Sequence, residues 1–183
     1  MIKEAPYQEE IKEMKPKTPA AKHLFKVNKS CTKLSTKERE QFHTNVAQGL
    51  YLCKRARPDI QPTIPFLCTR VKEPDEDDKK KLIHLLQYLK ATRETTLTLM
   101  ANQLKTPKWY VDAAFAVHHD MKSHTGGVFL FDKGAILTVS CKQKLNTKSS
   151  TEATMDKELY GRTRLQDRTI TVPGQSECNV IGE

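Results

Sequence analysis

The chain has 183 residues, 31 Lys and Arg against 22 Asp and Glu, a net charge of +9 and 37% apolar residues. That length allows one domain of ordinary size, or a small domain with appendages, and it excludes a large multidomain assembly within this stretch. The polar balance predicts that part of the chain is poorly ordered, and the positive excess favours polyanionic partners through counterion release. Near Met1 no apolar run is long enough for a signal peptide or a membrane span, so an intracellular setting without a membrane partner is expected. Cys31, Cys53, Cys68, Cys141 and Cys178 show neither a CxxC pair nor a Cys/His ligand spacing, and are expected to be reduced thiols.

Residues 1–34 mix Lys, Glu and Pro with little apolar periodicity, and Pro16 and Pro19 would interrupt a helix there. A poorly ordered tail or linker is expected. At Ser35 the pattern changes: Ser35 and Glu38 form an S-x-x-E capping box, and Phe42, Val46, Leu50 and Cys53 follow at helical spacing. This predicts a helix over 36–55. Ile60, Ile64, Leu67 and Val71 then share one face, with Pro62 and Pro65 confining the start of a short second helix. Asp75, Glu76, Asp77 and Asp78 precede Leu82, Leu85, Leu86 and Leu89, with Lys90 and Arg93 near the end. Acids at a helix start match its dipole, so the acidic run is expected to be solvated charge capping a third helix, not a metal site.

After Arg93 the period changes from helical to alternating. "TTLTLMA", "KWYVDAAFAV", "GGVFLF" and "AILTVSCKQK" are candidate strands, with "DKG" as the turn between the last two. "TKSSTEATMDKELYG" returns to helical character, with Gly161 as its stop. The order predicts a mixed α/β protein of the α+β type: a helical module over 35–94, a meander with one helix over 95–160, and a divergent tail over 161–183.

On a strand, Trp109, Val111, Ala113, Phe115 and Val117 share one face, and Tyr110, Asp112, Ala114 and Ala116 share the other. Asp112 therefore projects from a face of small residues. An isolated carboxylate is tolerated there where the face opens to solvent, pairs with a cation or holds a metal. Gly126 or Gly127 is expected to supply a positive φ at the entry to the next strand. His118, His119 and His124 read as surface histidines, because their chemistry suits hard carboxylate metal sites poorly. Ser123, Thr125, Gly126 and Gly127 look structural.

"FHTNVAQGLYLCKRARPDI", "KLIHLLQYLKAT", "WYVDAAFAVHHDMKSHTGG" and "KQKLNTKSSTEA", in this order and spacing, resemble the end of the pol polyprotein of copia-type LTR retrotransposons. The resemblance covers roughly residues 17–155 and takes in the connection that follows the reverse transcriptase and the start of the RNase H domain. It implies a truncated RNase H-like meander and a chain whose parent polyprotein segments are absent. In such RNase H domains carboxylates hold two divalent metals, and the match gives the first role to Asp112 of "YVDA" and the second to Glu152 of "SSTEA". Hard Mg²⁺ suits carboxylate oxygens, and a metal pair about 4 Å apart can activate water and stabilise the leaving oxygen of a phosphodiester. Ser149-x-x-Glu152 is also a capping box, which gives Glu152 a purely structural alternative.

The Tyr-x-Asp-Asp turn of a polymerase palm is not present, since Ala113 stands at the second Asp position. Beyond "SSTEA" the resemblance weakens. "LQDRTITV" faintly resembles the strand with the third acid, which makes Asp167 a candidate, and the fourth acid has no counterpart. Lys142, Lys144 and Lys148, interleaved with Gln143, Asn146 and Thr147, could grip a phosphate backbone. The expectation is a remnant of a reverse transcriptase/RNase H polyprotein, descended from a Mg²⁺-dependent nuclease acting on RNA–DNA hybrids and inactive as given. The alternatives are an active RNase H-type endonuclease and a non-catalytic basic protein that binds nucleic acid, either a hybrid or without sequence preference.

Overall fold

The structure is a computed structural model that describes residues 7, 11, 15–28, 30–100, 108–131, 133–144 and 148–149. Among the described residues the architecture is mixed α/β, with three helices followed in the chain by a three-stranded antiparallel sheet, consistent with a small truncated RNase H-like fold. Two compact units divide the chain, Met1–Thr96 and Leu97–Glu183.

In the first unit, α1 spans Thr36–Arg55, a short 3₁₀ turn spans Pro58–Ile60, and α2 and α3 span Thr63–Arg70 and Glu76–Ala91. Helix α1 begins where Ser35 and Glu38 close both hydrogen bonds of a capping box. The Ser35 hydroxyl, then Lys79, hold the Glu38 carboxyl down to about 2. The buried ridge of α1 is Phe42, Val46, Gly49 and Cys53, an i, i+4, i+7, i+11 series that faces one way on a 3.6-residue helix. Leu50 falls one position off that ridge and is 38% exposed. The ridge packs with Ile60, with Ile64, Phe66 and Leu67 of α2, and with Leu82, Leu85, Leu86 and Leu89 of α3 in one core.

The segment 1–34, expected as a poorly ordered tail, contributes Tyr7, Ile11 and Leu24 to that core. Its described residues also make long-range polar contacts: Thr63 Oγ1 donates to the Pro19 carbonyl at 3.1 Å, and the Glu76 amide donates to the Thr32 carbonyl at 3.1 Å. Isolated apolar anchors separated by polar and Pro residues leave no periodic signal, yet each can fill a hole between helices.

The acidic run also departs from solvated charge. Asp75 caps α3 in a capping box with Asp78, and these two are 3% and 1% exposed. Arg70 of α2 reaches both, with Nε 2.9 Å from Asp78 and Nη2 3.2 Å from Asp75. Asp77 pairs with the buried Lys81 at 2.9 Å. A helix start that abuts a neighbouring helix cannot rely on water, so an arginine supplies the countercharge.

In the second unit, β1 (Lys108–Ala114), β2 (His124–Leu130) and β3 (Leu137–Lys142) pair antiparallel in chain order. The expected strand in "TTLTLMA" does not form among its described residues, which make one isolated bridge between Met100 and Lys133. The positive φ falls on Gly134 of the "DKG" turn, at 79°, and not on Gly126 or Gly127, which lie inside β2. The expected helix following "TKSS" lies outside the described residues, as do Glu152 and Asp167. No helix among the described residues is long and apolar enough to cross a membrane, and Cys31, Cys53, Cys68 and Cys141 form no disulfide.

Candidate functional site

Strand β1 alternates as its sequence predicts: Trp109 is buried and Val111 and Ala113 are half-buried, whereas Tyr110, Asp112 and Ala114 are exposed. Directly paired residues of an antiparallel sheet point to the same face, so the register assigns both sides. Trp109, Phe129 and Val139 form the apolar core of one face, joined by Val111, Phe131, Leu137 and Cys141. The opposite face carries the row Asp112, Gly126 and Ser140, flanked by the rows Tyr110, Val128, Thr138 and Ala114, His124, Lys142.

Asp112 thus stands at the middle of β1 on the open face, and its neighbour on β2 has no side chain. A Cβ placed on Gly126 would approach only the Asp112 carbonyl, at an ordinary 3.7 Å. The open face explains how a carboxylate sits among small residues without a buried partner: water solvates it. It is a hard oxygen donor with free space beside it, which fits Mg²⁺ as one ligand. Among the described residues no group of three or more His, Cys, Asp or Glu is close enough to hold a metal ion. The assignment of Glu152 and Asp167 as its companions lies outside the described residues.

The three lysines differ. Lys144 and Lys148 are exposed. Lys142 bonds Asp120 at 2.7 Å, and this hydrogen bond holds the Asp120 carboxyl below the usual carboxylate range.

Two histidines depart from the surface reading. His118 and His124 are 5% and 8% exposed, and only His119 of the three is exposed. His118 Nε2 lies 3.0 Å from His124 Nδ1, and His124 Nε2 lies 2.7 Å from Ser140 Oγ. Burial pushes both imidazoles down to about 4; Lys142 adds to the effect on His118, and His118 to that on His124. Both rings are therefore neutral at pH 7, and the row beside Asp112 ends in a hydrogen-bonded chain that leads to Ser140. The polar, aperiodic "HHDMKSH" gave no sign of this; the one available signal was that His124 opens β2 in phase with its outward positions. Ser123 and Thr125 are structural, as expected. The Ala116 amide donates to Ser123 Oγ at 3.3 Å, the Gln143 amide to the Ser123 carbonyl at 2.9 Å, and Gln143 Nε2 to Thr125 Oγ1 at 3.1 Å.

No protein-family model matches the chain, and no solved structure matches it. It is 28% identical over 102 residues to the "Putative transposon Ty5-1 protein" of Saccharomyces cerevisiae, which covers 56% of this chain and 33% of the relative. It is 31% identical over 149 residues to the "Retrovirus-related Pol polyprotein from transposon TNT 1-94" of Nicotiana tabacum, covering 78% of this chain and 11% of that polyprotein. The chain therefore spans a third or less of the length of these relatives. Both relatives are transposon proteins, one of them a Pol polyprotein, and at this modest identity they support a retrotransposon-derived protein.

Proposed function

We propose that this chain is the stretch of a retrotransposon Pol polyprotein that runs from the connection after the reverse transcriptase into an RNase H-like domain. In this reading it binds nucleic acid weakly and cleaves RNA–DNA hybrids little or not at all. The observation that carries it is the position of Asp112: an exposed carboxylate at the centre of the first strand of an antiparallel meander, opposite a glycine, on the open face. That is where the resemblance to RNase H domains puts the first metal-binding acid. Asp112 and Glu152 would hold Mg²⁺, with Asp167 as a further candidate. Bound there, Mg²⁺ would supply an activated water and charge stabilisation at the departing oxygen.

The low activity follows from the count of carboxylates. A pair of divalent cations has a total charge of +4, and two matched acids hold such a pair loosely. Slack of an ångström in the reacting geometry lowers a rate by about a hundredfold. Net charge of +9 and the exposed Lys144 favour binding through phosphates.

The test is hydrolysis of a labelled RNA–DNA hybrid in Mg²⁺ or Mn²⁺ by the chain and by its Asp112→Asn variant, with binding of the same hybrid measured in parallel. Weak binding without cleavage in either protein is expected. Clear cleavage that disappears in the variant would make the chain an active nuclease and overturn the inactive reading. Absence of any binding to the hybrid would overturn the nucleic-acid assignment.

A further inference from the structure

The loop over residues 115–123 joins β1 to β2 and carries two non-glycine residues in the left-handed region, Ala116 at φ 51° and Met121 at φ 59°. L side chains rarely adopt this conformation, so the surroundings have to hold the loop in it. Its own hydrogen bonds are local: the His118 amide donates to the Lys122 carbonyl at 3.2 Å, and the Met121 amide to the His118 carbonyl at 2.9 Å. Side chains tie the loop to the sheet: His118 Nε2 lies 3.0 Å from His124 Nδ1, and Asp120 bonds Lys142 at 2.7 Å.

Two imidazole nitrogens at hydrogen-bond distance share a single hydrogen, so one ring has to present a bare nitrogen to the other. Protonating both rings sets two N–H groups against each other in a buried place. We propose that His118 and His124 form an acid-sensitive latch, which holds the 115–123 loop against the end of the sheet at neutral pH and releases it on acidification.

Charges around the pair fit this role. From the loop come Asp120 and His119, and Lys122 through its carbonyl. From β3 come Lys142, the register partner of His124, and Ser140, whose Oγ meets His124 Nε2. From β1 comes Ala114 opposite His124, with Asp112 two residues along on the same face. Burial and Lys142 oppose positive charge on His118, and Asp120 offsets them only in part. Asp120 is held below its usual carboxylate range by Lys142 and stays charged through mild acid, so the ion pair is not the sensor.

The direction follows by linkage. Both rings fall from 6.5 to about 4 in the closed state, whereas a released loop takes up protons near the ordinary value. The closed state is therefore fully favoured above pH 6.5 and loses that preference as pH falls towards 4. This inference does not depend on the nuclease reading of Asp112.

The experiment is amide hydrogen exchange on the full chain, expressed as protection factors, together with NMR titration of the histidine Cε1–H signals. Protection at Met121 and at the Ala116 amide is expected to fall at least about tenfold between pH 6.5 and 4, one pKa unit being a factor of ten. Protection in the β2 and β3 strands should hold, and His118 and His124 should titrate near 4. Ordinary titration near 6.5, constant loop protection, or loss only in step with the strands would overturn the latch. In Asp120→Asn the transition should remain, moved towards lower pH because Asp120 favours the charged His118, and its disappearance would assign the sensor to the ion pair. In His118→Gln the change between pH 6.5 and 4 should vanish, and its persistence would overturn the proposal. Should that variant not fold, the wild-type titration and Asp120→Asn decide.

Discussion

Asp112 of β1 and Gly126 of β2 are paired residues in the antiparallel register, and the adjacent pair, Val111 with Gly127, points to the opposite face. The two neighbouring glycines consequently do different work. A Cβ on Gly126 would touch only backbone at 3.7 Å, whereas one on Gly127 would meet the Trp109 indole at 3.0 Å. Gly126 leaves the space beside the carboxylate open, and Gly127 lets the tryptophan ring pack closely against the β2 backbone.

Gly127→Ala should therefore displace Trp109 and destabilise the sheet unit by about 1–3 kcal/mol, the usual range for overpacking. Gly126→Ala should be neutral or slightly stabilising, because a strand-interior glycine carries excess backbone entropy. Urea denaturation followed by Trp109 fluorescence reads both, since Trp109 is the chain's single tryptophan. Equal effects from the two substitutions would contradict this division of labour.

Removing the Arg70 side chain should damage the helical unit more than an exposed pair would. Arg70→Ala leaves Asp75 and Asp78 buried at the start of α3 without their cation, and breaking such a pair from one side costs about 3–5 kcal/mol. Burial already pushes the Asp78 carboxyl up, against the pull of Arg70, so the variant should retain a protonated Asp78 at higher pH than the parent. Thermal unfolding across pH 4–7 reports both; a shift no larger than that of Arg93→Ala, whose ion pair with Glu94 is exposed, would argue against the buried triad.

Leu24→Ala should lower the stability of the helical unit by about 2–4 kcal/mol, as for other buried leucines. Leu24 is 4% exposed and belongs to the same core as Phe42 and Leu85. Were residues 1–34 a loose tail, the substitution would leave the unfolding midpoint unchanged.

Nucleic-acid binding should be weak and salt-dependent, with dissociation constants on the order of 10⁻⁴ to 10⁻⁶ M. Lys144→Ala should reduce the salt slope by about 1, as expected on losing a phosphate contact. Lys142→Ala should do less, because Lys142 is already held by Asp120. Titrations of an RNA–DNA hybrid at two salt concentrations separate these effects, and affinity that does not fall with salt would contradict phosphate-driven binding.

By itself the sequence determined what depends on near neighbours along the chain. The Ser35–Glu38 capping box located the start of α1, helical spacing identified most of the core residues named for α1 to α3, with Leu50 the exception, and alternation placed Asp112 on the face of β1 opposite Trp109. Those signals span four residues or fewer, so they survive without knowledge of the rest of the molecule. Its three-strand meander was legible for the same reason, although "TTLTLMA" shows that an alternating run forms a strand only where a neighbour pairs with it along its length.

Tertiary structure decided everything that required a partner distant in sequence. Arg70 turned an acidic helix start from solvated charge into a buried cluster, and the helices gave Tyr7, Ile11 and Leu24 a surface to pack on, which no periodic pattern announced. The sheet register brought His124 to Ser140, 16 residues away, and folded His118 back over it. Sequence could mark these histidines as titratable, but burial fixes whether an imidazole is charged, and burial is a property of the assembled neighbours.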